Sequence, residues 1–161
     1  VFNIYQEGGA QAVLDYMKYR DSVKSAGIES SSERTQAIYD SFGNEGLELY
    51  SAAKTKLGDS MSGSNLIPFL QDYSLSDSQK GEYISQFTNI SDKAQAFADN
   101  GEYDKVYQYY NIKSSADSDG NGYIRKEEEL IPYLTGQSQM TNNQKNEYVQ
   151  LLFPDNTKTY F

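Results

Sequence analysis

From Glu7 to Lys24 the apolar residues Ala10, Val13, Leu14 and Met17, with Tyr16 beside them, recur at helical spacing, and Gly27 follows. That pattern predicts an amphipathic helix with a glycine stop. Ser30-Ser31-Ser32-Glu33 has the form of a capping box and should open a second helix through Ala37, Ile38 and Phe42, ended by Gly43. A third is expected from Glu45 to Leu57, burying Leu47, Tyr50, Ala53 and Leu57 before Gly58. After the polar stretch Gly58 to Ser64, the residues Leu66, Ile67, Phe69, Leu70 and Tyr73 predict a short apolar helix, with Pro68 tolerated in its first turn. Ser76 to Gln79 is a further capping box, opening a helix whose buried side carries Tyr83, Ile84 and Phe87. Ser91 to Ala98 reads as a short helix ended by Asn100-Gly101, and Tyr103, Val106, Tyr107 and Tyr110 mark another from Glu102 to Lys113. Thr141 to Gln144 caps a last helix with Tyr148, Val149 and Leu152, stopped at Phe153-Pro154, and Asp155 to Phe161 carries no periodic pattern. No stretch reads as a strand. The expected fold is all-α, with about eight to nine helices.

The apolar pattern also repeats. Leu66-Ile67-Pro68-Phe69-Leu70 returns 64 residues later as Leu130-Ile131-Pro132-Tyr133-Leu134. Ser76, with Gln79, Lys80, Glu82, Tyr83 and Ile84, returns 65 residues later as Thr141, with Gln144, Lys145, Glu147, Tyr148 and Val149. Such self-similarity predicts two copies of one unit: a helix, a loop, a short helix containing I-P-[FY]-L, and a capped helix. Ser32 to Phe42 is a weaker third candidate for the capped helix.

Composition narrows the chemistry. With no cysteine and no histidine, disulfides, thiolate ligands, the commonest general base and nearly all zinc sites are excluded, leaving oxygen ligands for any metal. A net charge of -9 and a pI near 4.5 argue against a nucleic-acid partner and suit cations or basic surfaces. No apolar run approaches the ~20 residues of a membrane span, so no membrane partner is expected. The chain opens at Val1 without methionine and is expected to be a processed product or an excised piece, with the rest of a longer polypeptide as a candidate partner.

The most specific stretch is Asp117-Ser118-Asp119-Gly120-Asn121-Gly122-Tyr123-Ile124-Arg125-Lys126-Glu127-Glu128. It meets D-x-[DN]-x-[DN]-G-x5-E at every defined place and resembles the calcium loop of the EF-hand family. The resemblance covers Tyr103 to roughly Leu134. It implies side-chain oxygens from Asp117, Asp119 and Asn121, the backbone carbonyl of Tyr123, and both carboxylate oxygens of Glu128 around one calcium ion. It also implies a positive φ at Gly122 and an inward-pointing Ile124. Arg125 stands where the family often has a water-bridging residue, so lower affinity is expected. Repulsion among three carboxylates should loosen the loop without a cation, and Pro132, four residues beyond Glu128, should kink or restart the exiting helix.

With the resemblance the expected organisation becomes an N-terminal helix over 1–30, a degenerate EF-hand-like repeat over 31–90 and a calcium-binding repeat with its last helix and tail over 91–161, in one compact domain. Asp59 is the one carboxylate between Ala53 and Ser64, so the first copy should bind no calcium. Fifteen tyrosines, with Tyr107, Tyr109 and Tyr110 ahead of the loop, are weighted toward core packing over a recognition surface. Glu45 and Glu48 read as a solvated helix face, and no enzyme is expected. The leading expectation is a calcium-binding structural or protein-interaction module. One alternative is a sensor that opens an apolar groove to a target helix, against which count the three methionines and the single good loop. The other rests on a looser resemblance, carried by the D-x-D-G-N-G loop, the capped [ST]-x-x-Q-K helix and the aromatic end Lys158-Thr159-Tyr160-Phe161, to segments of large bacteriophage structural and phage-like polypeptides. It implies a virion or mobile-element role.

Overall fold

A computed structural model describes residues 2–161, and in it the caps and glycine stops act largely where the sequence puts them. Eight α-helices form among the described residues: α1 (Phe2–Ser25), α2 (Glu33–Leu57), α3 (Gly63–Gln71), α4 (Asp77–Phe87), α5 (Asp92–Asp99), α6 (Tyr103–Ala116), α7 (Ile131–Thr135) and α8 (Asn142–Leu152). A 3-10 turn at Gly58–Ser60 follows α2, and a π turn at Lys126–Leu130 leads into α7. There is no strand among the described residues, and the fold is all-α. None of these helices is long and apolar enough to cross a membrane.

The chain divides into two compact units, Val1–Met61 with Gln86–Asn89, and Ser62–Ser85 with Ile90–Phe161. Residues 31–61 and 86–89 belong to the first unit, and 62–85 and 90 to the second.

In the first unit α1 packs on α2 through its C-terminal half, where Tyr19 and Val23 are buried and the Tyr19 hydroxyl meets Thr35 Oγ1 at 2.8 Å. Leu14 and Met17, which the periodicity marked for burial, are each 53% exposed. The second helix starts two residues later than its capping signal suggested. Ser32 is the cap, accepting from the Thr35 N–H while its own N–H donates to Thr35 Oγ1. Thr35 serves this box and Tyr19 together, a tertiary constraint that Glu33 could not meet. The helices expected on either side of Gly43 are one run bent there, where φ is 69°. Ile38, Leu47, Tyr50 and Ala53 form the core, and Phe87 joins it edge-on to Tyr50 at 5.3 Å. The Arg34 guanidinium holds 86–89 by donating to the Gln86 carbonyl and Asn89 Oδ1.

The second unit is built on α6, against which both α3 and α5 pack. Tyr109 and Tyr110 are buried in it, as the core reading expects, and the Tyr110 hydroxyl accepts from the Ser91 N–H at the start of α5. Helix α4 approaches so closely that a Cβ on Gly81 would lie 1.8 Å from the Tyr103 carbonyl oxygen, so only glycine fits. The two I-P-[FY]-L segments bury the same leucines, Leu66, Leu70, Leu130 and Leu134 all being fully buried, while Pro68 and Pro132 face solvent; Ile67 and Phe69 are buried where Ile131 and Tyr133 are half-buried. The helices after them are capped alike, Ser76 with Gln79 and Thr141 with Gln144 exchanging side-chain and backbone hydrogen bonds. The tail, which carries no periodic pattern, is docked. Asn146 takes the N–H of Phe161 and donates to its carbonyl, and Lys126 lies over the rings of Phe153 and Tyr160.

Candidate metal centre

Helix α6 ends at buried Ala116, and the next residue, Asp117, turns the chain out of the helix. Its Oδ2 accepts the Gly122 N–H at 2.8 Å, closing the loop on itself. Asp119 and Asn121 each make the short turn their side chains favour: Asp119 Oδ1 accepts the Asn121 N–H at 3.2 Å, and Asn121 Oδ1 the Tyr123 N–H at 2.9 Å. These bonds curl successive side-chain oxygens toward one point. Such a curl requires left-handed backbone, supplied by Gly120 at φ 69° and Gly122 at φ 85°.

Beyond the loop the chain does not enter an ordinary α-helix. The N–H groups of Glu129 and Leu130 both reach the Arg125 carbonyl at 3.0 Å, the second spanning five residues, and the Ile131 N–H goes to the Lys126 carbonyl. Pro132 explains this geometry. It has no N–H to give the Glu128 carbonyl, and its ring would collide with that oxygen in a regular helix, so the preceding turn widens. The widened turn holds one extra residue and advances the facing side chain by one position.

Glu129, not the Glu128 that the motif marks, therefore faces the loop. Glu128 is exposed, whereas Glu129 is buried and brings its carboxylate within 4.8 Å of those of Asp117 and Asp119. The three form a group able to hold a metal ion. Asn121 adjoins it, donating from Nδ2 to Asp119 Oδ2 at 3.2 Å. Tyr123 contributes its place in the loop, its side chain being 79% exposed, and Ile124 is half-buried where the resemblance implied an inward residue. The sequence held a signal for the shift: three successive glutamates left the register open, and Pro132 stood at the distance that distorts the turn containing Glu128.

The electrostatics of the group are uneven. Glu129 accepts from the Arg125 N–H and Nε and from the Ser118 N–H and hydroxyl. The Arg125 N–H above all, against the cost of burial, holds its carboxyl down to about 2. Asp117 Oδ1, by contrast, is out of solvent and has no hydrogen-bond partner. A buried carboxylate oxygen left unpaired is costly unless something cationic meets it.

Elsewhere the side chains converge less. A concavity of about 420 Å³ in the second unit is lined by Phe97, Lys105, Gln108, Gln144, Glu147, Tyr148 and Leu151. Within it the Tyr148 hydroxyl donates to Gln108, and burial raises its pKa well above the ordinary range. Glu45 and Glu48 are exposed on α2, in keeping with a solvated face. Compared with family models, with curated proteins and with solved structures, the chain matches none of them significantly.

Proposed function

We propose that this chain is a calcium-binding, non-enzymatic structural or protein-interaction module, in which one calcium ion ties the end of α6 to the turn that opens α7. The observation that carries the reading is the buried, unpartnered Oδ1 of Asp117 beside two further carboxylates. The donor set is all oxygen, as calcium prefers. The three carboxylates offer oxygens within 4.8 Å of one another, close enough for one ion to bridge them. Asp117, Asp119 and Glu129 would hold the ion, with Asn121 and the Tyr123 carbonyl completing the shell. Calcium bound only by the folded loop would stabilise the fold in proportion to its concentration over Kd.

The matched burial of Leu66 with Leu130 and of Leu70 with Leu134, and the paired capping boxes, support a duplicated origin for the two segments. In the first copy the stretch Ala53 to Ser64 continues α2 to Leu57 and then forms a 3-10 turn with Asp59 exposed, which suits a copy that holds no ion.

Calorimetry of chelator-stripped protein with calcium and with magnesium tests the reading. One calcium site is expected, retained in Glu128→Gln and lost in Glu129→Gln. Two sites would overturn the single-ion assignment, and no heat with either metal would overturn the function. An apolar dye that binds only to the calcium-loaded protein would favour a sensor over a stabilised module.

A further inference from the structure

The lone pairs of Glu129 are already spoken for. A carboxylate offers about four acceptor positions, two on each oxygen. Oε1 takes the Arg125 N–H at 2.9 Å and Arg125 Nε at 3.2 Å, and Oε2 takes the Ser118 N–H at 2.9 Å and the Ser118 hydroxyl at 3.1 Å. A metal cannot gain Glu129 until one of these donors leaves. The two backbone N–H groups belong to the loop and turn that build the site. The Ser118 hydroxyl is neutral and can rotate in place. The guanidinium carries the same sign of charge as an entering cation, and the Arg125 side chain is 56% exposed, so it can swing into water at little cost.

Resting on the calcium reading above, we propose that Arg125 is a resident counter-cation of the loop, whose guanidinium holds Glu129 in the metal-free protein and is expelled when calcium enters. The exchange leaves the charge on Glu129 compensated in both states. It gives a physical account of a closed loop without metal, where carboxylate repulsion alone predicts a loose one. It also sets a threshold: a cation must outcompete a tethered guanidinium, which favours a divalent ion over sodium or potassium at equal concentration. In the free protein Arg125 lowers the gain from binding, because part of the charge compensation is already present.

Arg20, Arg34 and Arg125 are the chain's arginines, so side-chain Nε–H signals in a nitrogen-15 spectrum are few, and Arg125→Gln identifies the relevant one. In chelator-stripped wild-type protein the Arg125 Nε–H should exchange slowly with water. On saturation with calcium chloride it should move to the position and fast exchange of a free arginine. Calorimetry should show Arg125→Gln binding calcium roughly three- to tenfold tighter than wild type, with Ser118→Ala changed less. An Arg125 Nε–H unmoved at calcium saturation overturns the exchange whatever the variants do. Equal affinities of wild type and Arg125→Gln overturn it as well, while leaving the calcium site standing. Absence of calcium binding in both proteins overturns the site and the exchange together.

Discussion

The segments Leu66–Leu70 and Leu130–Leu134 bury the same leucines and expose the same proline, yet the backbone ahead of them differs. Before the first, Ser62 caps a regular helix by accepting the Asn65 N–H, and Pro68 lies inside that helix. Before the second, the chain passes through a loop of carboxylates and a π turn, and Pro132 sits near the start of α7. The apolar pattern determines how the segment docks, and the polar residues upstream determine what it presents. Pro68 lies in the second turn of Gly63–Gln71 and leaves the Ser64 carbonyl without its helical donor, whereas Pro132 does the same to the carbonyl of Glu128, beside the acidic loop.

The largest effects should be shared by the two segments. Leu66→Ala and Leu130→Ala each remove a fully buried side chain and should each cost about 2–5 kcal/mol in denaturant unfolding. A silent Leu66→Ala beside a destructive Leu130→Ala would break the parallel between them.

Next in size is a difference the two should not share. Glu129→Gln should weaken calcium binding by more than the roughly 10- to 100-fold typical of losing an outer-shell partner. If Pro132 causes the shift in register, Pro132→Ala should let the turn relax and return Glu128 to the loop. The double variant Pro132→Ala with Glu129→Gln should then recover binding that Glu129→Gln alone lacks, as calorimetry would read. Pro68→Ala should leave calcium affinity unchanged.

Smaller still are the caps. Ser76→Ala and Thr141→Ala each remove an oxygen that accepts a helix N–H, and each should cost about 1 kcal/mol by thermal or denaturant unfolding. Unequal losses would show that the two helices carry different loads.

The least conspicuous difference lies in acid. The Glu129 carboxyl is lowered from 4.5 to about 2, so its hydrogen bonds contribute stability that is complete above pH 4.5 and lost as pH falls through about 2. In metal-free protein its carboxyl carbon should titrate near pH 2 by NMR. A Glu129 midpoint near 4.5 would contradict the buried, four-donor environment.

Much of this arrangement is legible in the residues. The helices, most of their caps, the positive φ at Gly122 and the facing of Asp117 and Asp119 follow from local chemistry, in which each residue's partner lies within a few positions. The burial of Val106 and Tyr110 follows from their helical spacing, whereas Tyr109 is buried outside that spacing and Tyr107, within it, is half-buried. What escaped was set by distant partners. Thr35 begins its helix where it does because Tyr19 is waiting for it, Leu14 and Met17 stay exposed despite a fitting period, and the tail docks because Asn146 and Lys126 receive it.

By itself, then, the sequence determined an all-α chain with one acidic, glycine-bent loop and two look-alike segments, because periodicity, caps and glycine geometry act over a turn or two of chain. Only the tertiary structure decided that Glu129 rather than Glu128 faces the loop, that Arg125 pairs with it and that Asp117 Oδ1 is left buried without a partner. Those outcomes depend on how a π turn ahead of Pro132 rotates the chain by one residue, and along a run of three glutamates such a rotation leaves no trace in composition.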